Sequence, residues 1–269
     1  MPECGRSADG SDPRAQRGEA ASGAGHRRAV RSEVVWRLVR TILAEQSAVA
    51  GHAQLDVVDA GGGTGHLAVP LAELGHRVTV VDPSPDSLAA LKRRADEAAV
   101  TGSVQAVQGD VTDLPELVGA AGADLVLCHS VLEVVDDPGA ALESMAAVLR
   151  PGAALSLVAA NRYAVVLAKV IGGHLSDARA VLAEPADGWQ PEGPTPRRFT
   201  ATQLRRAVGN VGLVVLAEHG VRVFADLTPA TLADEPSAAA ALLELEAAAA
   251  EHPTFRAIAT QIHLLARRV

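Results

Sequence analysis

The apolar strand pattern Leu55-Asp-Val-Val-Asp59 runs into Asp59-x-Gly61-x-Gly63-x-Gly65, and a helical pattern follows at once. Few folds use that junction. Glycines let the backbone turn sharply from strand to helix and leave no Cβ atoms in the way of a bound molecule. The free N–H groups of the following helix then face that molecule. Roughly 20 residues further on, Asp82 closes the next strand, Arg77-Val-Thr-Val-Val-Asp82, where a nucleoside-binding sheet places a carboxylate for ribose hydroxyls.

The glycine spacing narrows the ligand. A dinucleotide fingerprint, G-x-G-x-x-G begun at Gly61, would need glycine where His66 stands, and no Gly-Lys-Ser/Thr P-loop occurs. The Asp-x-Gly-x-Gly-x-Gly form resembles motif I of class I S-adenosylmethionine (SAM) methyltransferases. SAM carries no phosphates, so its turn need not cradle a pyrophosphate.

Periodicity predicts an opening helix, Arg31 to Ala48, with Val34, Val35, Leu38, Val39, Ile42 and Leu43 on one face. Strands are expected at Leu55–Asp59, Arg77–Asp82, Ser103–Gln108, Ala123–Cys128 and Ala153–Ala160. Helices between them are expected at Gly65–Leu74, Pro85–Ala99, Leu114–Gly119 and Pro138–Leu149. From Asn161 to Pro196 the alternation breaks into two short helices and a Pro/Gly-rich run. A helix at Thr200–Val208, a strand at Leu213–Phe224, an Ala/Leu/Glu helix and a last strand at Ile258–Arg267 complete the chain. This order predicts an α/β, Rossmann-like, doubly wound, mostly parallel seven-stranded sheet with a helical insertion after the fifth strand. Residues 161–196 leave the carboxyl end of that strand and are expected to cover the substrate.

Residues 1–25 are poor in large apolar side chains and are expected to be a disordered tail without a signal-peptide core. Residues 26–269 are then a single domain. No stretch is apolar enough to span a membrane, and Cys4 and Cys128 suggest no disulfide framework. The expected location is cytoplasmic. The chain carries a net charge of −8, which argues against non-specific nucleic-acid binding. The histidines and cysteines show no metal-ligand spacing, so no metal is expected.

Asp59, Asp82 and Asp110 stand at three strand ends. Each could be a turn former; together they line one edge, with Gly61, Gly62 and Gly63 leaving room for the ligand. Asp82 is expected on the ribose, and Asp110 with the Val111 backbone on the adenine edge. His129, in Cys128-His-Ser-Val-Leu-Glu133, follows the fourth strand and could touch the cofactor, position substrate or act as a base. A histidine satisfied by neighbouring backbone is the plainer alternative.

The likeness extends along the body. It includes Glu73-Leu-Gly-His76, His129-Ser-Val-Leu-Glu133, Val148-Leu-Arg-Pro-Gly152, Leu155-Ser-Leu157 and Asn161. It continues through Pro196-Arg197, Gly220-Val-Arg-Val-Phe224, Leu242-Leu-Glu-Leu-Glu246 and Ile262-His263. On these segments the chain resembles the bacterial tRNA 5-carboxymethoxyuridine methyltransferase family. The last motifs are the more specific, because cofactor binding does not demand them. The resemblance implies SAM contacts at Arg31, Gly61, Gly62, Asp82, Asp110, Val111 and His129, with Arg31 pairing the methionyl carboxylate. Substrate candidates are Asn161, Tyr163, Arg197 and Arg222.

The implied activity is O-methylation of a carboxylate, on the wobble uridine of tRNA. An ionised carboxylate needs no general base at pH 7, in keeping with the lack of an evident base constellation. Methylation of a small-molecule acid or hydroxyl stays open, as does a SAM-binding module without catalysis. The sequence leaves the oligomeric state open.

Overall fold

In a computed structural model, residues 33–183, 196–229 and 235–269 are described. The expected tail, Arg31 and the Pro/Gly-rich part of the insertion lie outside them. Helix α1 (residues 33–50) precedes β1 (Asp56–Ala60), α2 (Ala68–Glu73), β2 (Arg77–Asp82), α3 (Pro85–Glu97) and β3 (Val104–Gln108). Then come α4 (Leu114–Val118), β4 (Ala123–His129), α5 (Pro138–Val148) and β5 (Leu149–Ala160). The remainder is α6 (Arg162–Ile171), α7 (Leu175–Ala183), α8 (Ala201–Asn210), β6 (Leu213–Val221), α9 (Pro236–Ala250), α10 (Pro253–Ile258) and β7 (Gln261–Arg268).

The seven strands form one sheet in the order β3-β2-β1-β4-β5-β7-β6. β7 alone runs against its neighbours. Strand order reverses between β1 and β4, where open α/β sheets bind ligands at the carboxyl edge. Val57, Val78, Val80, Leu125 and Leu127 pack on α1 to α3. Val58, Val126, Leu155, Leu157 and Leu264 pack on α4, α5 and α8. Burial on both faces explains why these strands read as apolar runs rather than alternating ones.

Several boundaries differ from the sequence expectation for physical reasons. Helix α2 begins at Ala68, not Gly65, because Gly65 holds a left-handed φ of 78° that no helix accepts. β6 stops at Val221 because Arg222 has φ 61°. The carboxylate of Glu246 on α9 then takes the N–H groups of Val223, Phe224 and Ala225 at 2.7–2.8 Å, so these cannot join a ladder. The last strand starts at Gln261, since Ile258 ends α10, a short helix opened by Pro253 at its first position.

Helix ends follow their capping chemistry. Asp137 caps α5 through Gly139 and Ala140, with Pro138 behind it. Thr200 and Gln203 form a reciprocal capping box on α8. In the insertion, buried Arg162 donates Nε and Nη2 to the Val181 carbonyl and so ties α6 to α7.

Candidate SAM-binding and acceptor site

The carboxyl ends of β1 to β5 bring Gly61–Gly63, Asp82, Asp110, His129 and Asn161 to one edge of the sheet. Antiparallel β7 starts there at Gln261 and β6 ends there before Arg222. The adjacency of all these positions follows from topology. Arg31 is outside the described residues.

The glycines of the turn have distinct tasks. Gly61 (φ 72°) donates its N–H to Val81 at 2.7 Å, and a Cβ there would stand 2.4 Å from a Val131 methyl. A Cβ on Gly62 would lie 2.3 Å from Asp59 Oδ2. Gly63 (φ 55°) differs: its Cβ would meet nothing nearer than Asp82 Oδ2 at 3.8 Å. Space is therefore open over Gly63, beside the Asp82 carboxylate, which fits a nucleoside ligand held against bare backbone.

Asp82 is buried, and its oxygens accept N–H groups from Gly63 (3.0 Å) and Ser84 (2.9 Å). A carboxylate has further lone pairs for ribose hydroxyls. Asp59 is 3% exposed; burial first, then the charge of Asp82, raises its pKa to about 7. Asp110 is exposed and caps the next turn, accepting from the Thr112 N–H at 2.9 Å and its hydroxyl at 2.8 Å. The Val111 side chain is buried in the core, so only its backbone can face a ligand.

His129 ends β4. Its Nε2 lies 2.9 Å from Ser156 Oγ, and its buried Nδ1 has no hydrogen-bond partner among the described residues. Burial lowers its pKa to about 4, so the ring is neutral at pH 7. Glu133, four residues on, accepts the Ala160 N–H at 2.8 Å through Oε1, while its carbonyl accepts the Arg197 N–H at 2.9 Å. Burial holds its carboxyl above the usual range. Glu133 therefore fastens the ends of β4 and β5 to the segment leading into α8.

The substrate candidates fare unequally. Asn161 is 1% exposed, and its side chain is hydrogen-bonded inside the protein. Its Oδ1 caps α6 at Tyr163 N–H, and its Nδ2 donates to the carbonyls of Ala257 and Ala259. Both amide donors are thereby used within the protein. Arg197 donates to the carbonyls of Val135 and Asp136 and so braces the loop after β4. Tyr163 is exposed on the first turn of α6. Arg222 sits on the turn held by Glu246, with Nη2 2.6 Å from Asp226. Its buried Nε has no hydrogen-bond partner among the described residues. Arg205, on α8, pairs with Glu218 of β6 at 2.9 Å.

Sequence reasoning missed Ser156 and the structural use of His263, His219 and Glu246. The available signal was polarity in apolar strands, as in Leu155-Ser-Leu157. A separate cavity of about 590 Å³ opens at the opposite edge of the sheet, lined by Gln46, Asp56, Arg77, Asp124 and Arg150. Its ion pairs, Arg150 to Asp56 and Asp124 and Arg77 to Asp56, fasten strand beginnings far from the glycine turn.

Residues 58–157 match the family model "Methyltransferase domain". In fold, the chain is similar to magnesium protoporphyrin IX methyltransferase of Synechocystis, solved with bound SAH. The TM-score is 0.56 at 19% identity, covering 97% of this chain and 90% of that one. A putative SAM-dependent methyltransferase from Listeria monocytogenes gives a TM-score of 0.59 at 14% identity, over 90% and 99%. Fold, glycine turn and strand-end carboxylates thus define a class I SAM-dependent methyltransferase. The tRNA 5-carboxymethoxyuridine methyltransferase of Escherichia coli is 30% identical over 239 residues, 89% of this chain and 88% of that protein. The chain belongs to that family. The ubiquinone biosynthesis O-methyltransferase of Methylocella silvestris is 35% identical over 170 residues, 62% of this chain and 61% of that protein.

SAM supplies a methyl group already activated on a sulfonium. What remains for these residues is to bind and orient. Gly61 to Gly63 and Asp82 would hold the nucleoside and leave room for the methionyl part, and Asp110 with the Val111 backbone would meet the base. Positioning of this kind accounts for much of the acceleration in a displacement. Among the described residues, no helix is long and apolar enough to cross a membrane. No group of three His, Cys, Asp or Glu there is arranged to hold a metal.

Proposed function

We propose that this enzyme methylates a carboxylate oxygen, and that its acceptor is the carboxymethoxy group of a wobble uridine in tRNA. The observation that carries this reading is Arg222. It stands where β6 ends, on a turn fixed by three hydrogen bonds to Glu246, with Nη2 2.6 Å from Asp226 and a buried Nε that has no partner among the described residues. A planar guanidinium suits a carboxylate. The Gly220–Phe224 and Leu242–Glu246 segments shared with the family are the two sides of this clamp. Family membership over 89% of the chain supports the same acceptor.

The test is to incubate the full-length protein with radiolabelled SAM and host tRNA. Label that enters tRNA and is lost under mild alkali, as an ester is, supports the reading. Label confined to small molecules overturns the tRNA acceptor. Arg222→Ala is expected to raise the acceptor KM at least tenfold, the size of one charge-assisted contact, with SAM affinity unchanged. An unaltered KM removes Arg222 from the site.

A further inference from the structure

Four polar side chains cross the sheet in one hydrogen-bonded row. His129 Nε2 is 2.9 Å from Ser156 Oγ, Ser156 Oγ is 3.0 Å from His263 Nε2, and His263 Nδ1 is 3.0 Å from His219 Nδ1. Strand register builds the row. His129 pairs with Val158, Val158 with His263, and His263 with His219, while Ser156 lies two residues back on the same side of β5. Ser156 and His263 are 0% and 1% exposed. At the far end, the His219 side chain is 14% exposed, with Nε2 3.7 Å from the exposed carboxylate of Glu251. One end of the row is therefore at the site and the other reaches solvent.

The row can hold its protons in two ways if every ring is neutral and the serine proton is used. A serine hydroxyl donates once, and a neutral imidazole has one donor and one acceptor. In the first arrangement His129 donates from Nε2 to Ser156, Ser156 to His263 Nε2 and His263 Nδ1 to His219. His219 Nε2–H then points at Glu251, and His129 Nδ1 is a bare acceptor. The second arrangement is the reverse and turns a bare nitrogen toward Glu251. The charge of Glu251, 3.7 Å away, favours the first, in which His129 Nδ1, without a partner among the described residues, carries a lone pair at the end of β4.

We propose that His129, Ser156, His263 and His219 form a proton path from acceptor to solvent, and that the enzyme has a second activity at the same site, O-methylation of a phenolic hydroxyl. The reading goes beyond carboxylate transfer, which releases no proton and leaves the row idle. With a phenol, the O–H bond and the bond from sulfur to methyl break and an O–CH₃ bond forms. The phenolic proton passes to His129 Nδ1, the Nε2 proton to Ser156, the serine proton to His263 Nε2, the Nδ1 proton of His263 to His219, and the His219 Nε2 proton to Glu251 or water. Every ring ends neutral. Buried imidazoles need that outcome, since burial penalises the charged form of both His129 and His263. Burial lowers the pKa of His219 as well and Arg256 acts in the same direction, while the charges of Glu251, Glu218 and Glu45 oppose them. A phenol, with a pKa of about 10, could not leave its proton on a ring of pKa about 4, so the proton has to move on through the row as the methyl is transferred.

Two measurements on the full chain test this. In ¹⁵N-histidine NMR with SAH bound, His129 should show a bare Nδ1, His263 an Nδ1–H and His219 an Nε2–H; Ser156→Ala should shift the ring nitrogens of both His129 and His263. With catechol as probe, the wild type should transfer labelled methyl, and Ser156→Ala and His219→Phe should each lower that rate about 100-fold, the usual scale of base assistance, with SAH affinity by calorimetry unchanged. His219→Phe acts at the partly exposed end and so breaks the path with least risk to folding. An Nδ1–H on His129, rings indifferent to the loss of Ser156, or no methylation of catechol by the wild type would each overturn the proposal. Label in tRNA is scored separately, so failure of the carboxylate reading is told apart from failure of this one.

Discussion

Asp82 Oδ2 accepts the backbone N–H of Gly63 at 3.0 Å, so the strand-end carboxylate and the glycine turn are held as one piece. The second oxygen takes the Ser84 N–H that opens α3. Removing the side chain loosens the turn and, if Asp82 holds the ribose as proposed, costs that contact too. Asp82→Ala is expected to weaken SAM binding about 10- to 100-fold, the scale of one charge-assisted hydrogen bond. Titration calorimetry showing wild-type affinity would remove Asp82 from the cofactor site.

The glycines of the turn should separate folding from binding. Gly63→Ala meets open space, and its left-handed φ costs about 1–2 kcal/mol. This variant is expected to fold with a modest loss in thermal stability and yet to lose SAM affinity, because the new methyl occupies ligand space. Gly61→Ala and Gly62→Ala instead collide with Val131 and Asp59 inside the protein. Their expected loss is the larger one in a thermal melt without ligand. If Gly63→Ala binds SAM normally, the open space above it is not the cofactor's.

Glu246 is fully buried and accepts three consecutive backbone N–H groups. Glu246→Ala leaves those donors without their acceptor, at roughly 1–3 kcal/mol for each that stays unpaired. The expected outcome is a loss of about 3–5 kcal/mol in urea unfolding, with hydrogen exchange at Val223 to Ala225 among the most accelerated. Normal protection there would mean the turn is held by something else. Arg222 stands on this turn, so acceptor KM should rise in parallel.

Much of this was legible in the chain because β1 to β5 are apolar runs punctuated by Gly, Pro and Asp, and doubly buried parallel strands have that appearance. The edge carrying Asp82 and Gly63 could be placed for the same reason. Positions governed by long-range register could not. Val221-Arg-Val alternates like a strand, and only the carboxylate of Glu246, on another helix, shows why it turns. Asn161 has the chemistry of a ligand contact, yet α10 and the chain just before β7 use up its amide. The row from His129 to His219 joins four strands whose pairing no local pattern reports.

Asp59 supplies a pH signature with a definite sign. Its folded pKa is raised from 3.8 to about 7, chiefly by burial and secondarily by the charge of Asp82. A raised carboxyl binds its proton more tightly in the folded state, so its contribution to stability is complete below about pH 4. It is lost progressively as pH rises to about 7, and above that the fold carries an ionised, buried carboxylate. At roughly 1.4 kcal/mol per unit, the ceiling is about 4 kcal/mol. Asp59→Asn keeps the shape and cannot ionise. Urea unfolding of the two proteins without ligand at pH 5 and pH 8 should show the wild type losing more stability over that interval than Asp59→Asn. Parallel curves would mean that Asp59 ionises in the folded protein as freely as in the unfolded chain, and that the buried end of β1 is wetter than its surroundings imply.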